Sequence, residues 1–112
     1  MSIKKSTRRS DKSLALLENL TGKKMTLGNL LWSIRECEEM TQAEFAKLLH
    51  ISRQYLCDME HGRRIVSTKA AAAFANKLGY SPLQFVRLAI QDDLNKNGLH
   101  FDVEIHDHRN AA

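Results

Sequence analysis

Proline occurs once in these 112 residues, and aromatic side chains make up only 6% of them. With 43% hydrophobic and 27% charged residues, the composition excludes collagen-like and disordered chains and suits an ordinary folded domain in which helix is favoured. Cysteine is also scarce. Cys37 and Cys57 form neither a C-x-x-C pair nor a staple framework, so reduced thiols in a cytoplasmic setting are expected. No apolar run approaches the roughly 20 residues that span a bilayer, and MSIKKSTRRSDK is basic but is followed by no signal-like apolar stretch. Membrane insertion and secretion are therefore not expected. The length suits one core with flexible ends.

Chemistry-bearing motifs are equally sparse. Because the chain holds no Gly-rich phosphate loop, nucleophile elbow or Ser/His/Asp arrangement, neither an enzyme nor a cofactor is expected. His100, His106, Asp107 and His108 supply donor atoms that a metal accepts, yet no cysteine or helical ligand completes a familiar spacing. No metal is expected, and these residues read as a polar strand edge. Cys57 reads as a small filler rather than an oxidant sensor.

What the chain does have is an uneven charge distribution. Its net charge is +4, and all of the excess sits in residues 1–12, where Lys4, Lys5, Arg8, Arg9 and Lys12 face only Asp11. The remaining residues are balanced. A basic arm followed by a neutral body hints at a polyanionic partner for the arm.

Beyond the arm, Leu14, Leu17 and Leu20 repeat at helical spacing before Gly22, which predicts a short helix over 13–20 within an N-terminal segment 13–25. Thr26 caps a second helix whose Leu27, Leu30, Leu31, Ile34 and Cys37 form one buried stripe. Thr41, with Glu44 three residues on, forms a capping box for a helix from Gln42 to about Leu49. Ser52 caps the next, which runs to about His61, and Ser67 opens an alanine-rich helix stopped at Gly79. Pro82 starts the last helix, ending near Asn95. The period then changes to two. Leu99, Phe101, Val103 and Ile105 alternate with polar residues, which predicts a strand in segment 98–112, paired with its copy across a two-fold axis.

Residues 42–61 are the specific part. Two short helices that cross steeply need a small residue at their approach and apolar residues on their inner faces. Ala46 supplies the first, while Phe45, Leu49, Ile51, Leu56 and Met59 supply the second. Gln42, Glu44 and Lys47 then face outward on one helix, and Ser52, Arg53, Gln54 and Cys57 lie on or near the exposed face of the other. Through T-Q-x-x-F-A-x-x-L at Thr41 to Leu49, I-S-R-x-x-L at Ile51 to Leu56 and E-x-G-x-R at Glu60 to Arg64, the chain resembles the phage-repressor-like (Cro/Xre) helix-turn-helix family. The likeness covers about residues 27–90. It departs at His50, where the family usually has glycine, and at Ile65 and Val66, which stand where a proline often follows the arginine.

The resemblance implies an all-α, five-helix DNA-binding domain over 26–97 whose helix Ser52–His61 enters the major groove. It also implies a structural ion pair between Arg35 and Glu60. On that placement, Ser52, Arg53, Gln54 and Asp58 are the candidate base contacts: Arg53 suits guanine, Gln54 adenine and Asp58 cytosine. Gln42, Tyr55, Arg63 and Arg64 are the candidate phosphate contacts. Leu83, Val86, Ile90 and Leu94 of the last helix, with Phe101, Val103 and Ile105 of the strand, are the candidate dimer surface. The expected function is a cytoplasmic homodimeric repressor reading a palindromic operator in double-stranded DNA. A second reading, an antitoxin that also binds a toxin, rests on the segments outside the family core.

Overall fold

The computed structural model describes residues 25–108. The basic arm and the helix expected over 13–20 lie outside the described residues. Those described form five helices: α1 (Leu27–Cys37), α2 (Gln42–Leu49), α3 (Arg53–Glu60), α4 (Thr68–Leu78) and α5 (Pro82–Lys96). Among the described residues no helix is long and apolar enough to cross a membrane.

Helices α1 to α4 each start where a side chain satisfies an orphan amide. The Thr26 hydroxyl accepts from the Asn29 N–H at 3.1 Å, Ser52 accepts from Tyr55 at 3.0 Å and Ser67 accepts from Ala70 at 3.1 Å. At α2 the arrangement is reciprocal, with Thr41 accepting from Glu44 N–H while the Glu44 carboxylate accepts from Thr41 N–H at 2.8 Å. Ser81 makes no such bond, and Pro82 at the first turn has no N–H to satisfy. Helix α2 ends at His50, whose φ of 61° and ψ of 42° place it in the left-handed region. A side chain there costs roughly 1–2 kcal/mol relative to glycine, which the two apolar helices on either side must offset.

The core is one cluster drawn from every helix: Leu27, Leu30, Leu31 and Ile34 of α1, Phe45 and Leu49 of α2, Leu56 and Met59 of α3, Phe74 and Leu78 of α4, Phe85 and Leu88 of α5. Full burial of each such side chain is worth about 1.5–3 kcal/mol before entropy is charged against it. Ala46 is buried at the α2–α3 approach, and Val66 fills the core from the loop that lacks the proline. Cys37 departs from the expected stripe. It is exposed, because it is the last residue of α1 and the helical period continues past the packing partners.

A tight contact sets the α1–α3 distance. A Cβ on Gly28 would collide with the Met59 carbonyl oxygen, so only glycine lets these backbones approach so closely. Asp92 of α5 reaches the start of α1, where its Oδ2 accepts from the Leu27 N–H at 3.0 Å. Burial pushes the Asp92 carboxyl above its ordinary value, against the smaller opposing effect of that hydrogen bond.

The strand expected over Leu99–Ile105 is not formed. No strand occurs among the described residues, and here the backbone pairs with a side chain instead of another strand. The buried Gln91 amide donates to the Phe101 carbonyl at 2.6 Å and to Asn95 Oδ1 at 3.1 Å, while its oxygen accepts from the Val103 N–H at 2.9 Å. The alternating pattern therefore reports half-burial of Val103 and Ile105 against the body, not a ladder. Leu99 and Phe101 remain 44% and 63% exposed.

Candidate nucleic-acid interface

Helices α2 and α3, joined by the turn through His50 and Ile51, are locked to α1 by one carboxylate. Glu60, whose side chain is 2% exposed, accepts from Arg35 Nε at 2.8 Å and from Arg35 Nη2 at 3.2 Å. Arg35 also donates to the Met40 carbonyl at 3.0 Å. The carboxylate raises the Arg35 guanidinium above its already high value, chiefly through this hydrogen bond, so the cation is permanent. Gln42 donates to the same carboxylate at 3.0 Å, and its carbonyl oxygen accepts from Arg53 Nη1 at 3.4 Å. A chain of polar contacts thus runs from the interior to the first residue of α3.

The outward side of α3 presents the other candidates. Ser52, Arg53 and Gln54 are exposed, whereas Tyr55, Cys57 and Asp58 are half-buried. Asp58 Oδ1 accepts from Gln54 Nε2 at 3.0 Å and from Arg63 at 3.0 Å (Nη2) and 3.1 Å (Nε). Gln54 and then Arg63 hold the Asp58 carboxyl below its ordinary value, and Asp58 in turn raises Arg63. Arg63 Nη2 also lies 3.5 Å from Cys57 Sγ, and His61 Nδ1 lies 2.8 Å from the Cys57 carbonyl oxygen.

Tyr55 turns inward, edge-on to Phe74 with ring centroids 6.5 Å apart, and the Arg64 guanidinium stacks on its outer face 4.2 Å from the centroid. Arg64 is thereby held at the rim. A cleft of about 290 Å³ opens beside Gln42 and Glu60, lined also by Asn29, Trp32, Arg35 and His61. Trp32, 49% exposed, and His61 were missed by the sequence reading, since an outward tryptophan on a helix of core spacing carries no local signal. Leu83, Val86, Ile90 and Leu94 are half-buried along α5, away from this network. The terminal histidines do not gather. Among the described residues no group of three or more His, Cys, Asp or Glu side chains converges as a metal site.

Residues 33–85, which span α2, the turn and α3, match the family model described as helix-turn-helix. The match covers a little under half of the chain. Over 56 residues, 50% of its length, the chain is 45% identical to the "ImmF control region 10 kDa protein" of Bacillus phage phi105, and it spans 60% of that protein. No solved structure matches the chain. The matched residues contain every candidate base and phosphate contact, while Gln91 and the segment it holds lie beyond them.

Proposed function

We propose that this protein is a sequence-specific regulator of transcription that binds double-stranded DNA by laying α3 in the major groove. The observation that carries the reading is the side-by-side exposure of Arg53 and Gln54 on the first turn of α3, on a frame fixed by the Arg35–Glu60–Gln42 contacts. The first turn penetrates the groove most deeply, so a guanidinium reads guanine O6 and N7 there while a carboxamide reads adenine N6 and N7. Gln42 keeps a second amide hydrogen for a phosphate, beside the free N–H groups of the α2 N-terminus. Ser52, Arg63 and Arg64 flank the strands on either side of the groove. The relative's printed role, a control-region protein, supports regulation, with repression as the simplest form.

Two copies are needed to read a palindrome. The exposed Leu99 and Phe101, together with the half-buried Leu83, Val86, Ile90 and Leu94 of α5, support a second copy of this chain as their cover. Residues 26–97 then act as the reading unit, residues 98–112 as the dimer contact, residues 13–25 as a connector and residues 1–12 as an arm toward phosphates. Selection from random duplexes tests the function. The expected product is a palindrome with half-sites about 34–36 Å apart; recovery of no preferred sequence overturns the reading.

A further inference from the structure

Asp58 is an acid on the side of α3 turned toward the proposed DNA, where it opposes every phosphate. Its position makes sense through the two groups that it holds rather than through a base. Gln54 lies one turn earlier on the same helix face, and a carboxamide can present its donor and acceptor in either order by a half-turn of the side chain. Only one of the two orders matches adenine N7 and N6 in a given register. The bond from Nε2 to Asp58 Oδ1 at 3.0 Å selects that order, leaving Oε1 and the second amide hydrogen for the base. The same Oδ1 holds Arg63 at 3.0 Å, so a cation placed to clamp phosphate indiscriminately is offset until the duplex competes for it.

We propose that Asp58 is a specificity-determining positioning residue, which orients the Gln54 amide for base reading and withholds Arg63 from arbitrary phosphates. This rests on the DNA-binding reading and deepens it. Preorganising one reading group favours the matching site, while restraining a general cation weakens every other site, so both effects widen the gap between them.

The test uses the full chain, a mixed-sequence duplex and the duplex recovered by selection, titrated across a salt series. In Asp58→Ala, Arg63 is released. Binding to the mixed duplex tightens, and the log–log salt slope steepens by about 0.9, so the gain is about 3.5-fold larger at 50 mM than at 200 mM salt. Preference for the selected duplex falls at the base pair read by Gln54. Asp58→Asn separates the two effects, because it keeps an acceptor for Gln54 but no charge for Arg63: the slope steepens and the base preference stays. Adding Arg63→Ala to Asp58→Ala removes the extra slope. An Asp58→Ala protein with unchanged mixed-duplex slope and a loss confined to a single cytosine position overturns the proposal in favour of direct base contact. Wild-type protein that binds neither duplex overturns the DNA reading and this inference with it, whereas wild-type binding with an unaltered Asp58→Ala overturns this inference alone.

Discussion

Gln42 donates its side-chain amide to Glu60 across 3.0 Å, tying the first residue of α2 to the last residue of α3. The bond closes the helix-turn-helix at the end opposite its turn. Because Glu60 also accepts from Nε and Nη2 of Arg35, one buried carboxylate fixes the mutual placement of α1, α2 and α3. The proposed reading residues therefore project from a braced frame, which limits the entropy lost when they order on a ligand.

Removing one partner of this pair should be far worse than removing both. Arg35→Ala leaves the Glu60 carboxylate buried beside Gln42 alone and is expected to cost about 3–5 kcal/mol. Replacing both residues together, Arg35→Met with Glu60→Leu, should recover most of that loss in stability while loosening Gln42. Denaturant unfolding of the single and double variants measures the difference.

Gly28 should tolerate no side chain, although it stands in the first turn of α1, where alanine is ordinarily the better helix former. The obstacle to a Cβ is the Met59 carbonyl oxygen, which is backbone and cannot rotate away. Gly28→Ala is expected to destabilise by about 1–3 kcal/mol as α1 and α3 are forced apart. Thermal unfolding checks this, with each kcal/mol lowering Tm by roughly 4–8 °C for a domain of this size.

The helices were legible in the sequence because their signals are local. The Thr41–Glu44 box, the Ser52 and Ser67 caps and the left-handed position at His50 each lie within a few residues of what they control. Long-range partners left no such trace. Asp92 meets Leu27 across 65 residues, and nothing near Gln91 announces that its amide will stand in for a strand beside Phe101 and Val103. The period-two pattern over Leu99–Ile105 was real, but periodicity reports which side chains are half-buried, not what pairs with the backbone. At the interface the outward residue types were legible. Their mutual bonds were not, since spacing alone does not say that Asp58 engages Gln54 and Arg63, or that Gln42 divides its amide between Glu60 and Arg53.

Asp92 gives the fold a pH dependence of definite sign. A carboxyl raised on folding binds more protons in the native state, so its contribution falls as pH rises from its ordinary value of about 4 through the raised one, then stays constant. Asp92→Asn keeps an acceptor for the Leu27 N–H without the buried charge. Its stability relative to wild type should therefore increase from about pH 3 to pH 7, as measured by denaturant midpoints. Asp58 carries the opposite sign: its lowered carboxyl contributes stability above the ordinary value and loses it as pH falls through the lowered one.

Deleting residues 98–112 should convert a dimer to a monomer in light scattering at micromolar concentration. Gln91→Leu, which removes the amide that holds Phe101 and Val103, should weaken the dimer without unfolding the helix-turn-helix domain. A dimer unchanged in both variants would remove the C-terminal segment from the interface.

The most direct test of the account is a base-by-base titration of the selected operator with wild type, Arg53→Ala and Gln54→Ala. If α3 reads the major groove through its first turn, each variant loses about 1–3 kcal/mol of discrimination at its own base pair, and the two positions are neighbours in each half-site. Losses spread evenly over all positions, or absent in both variants, would contradict recognition by these residues.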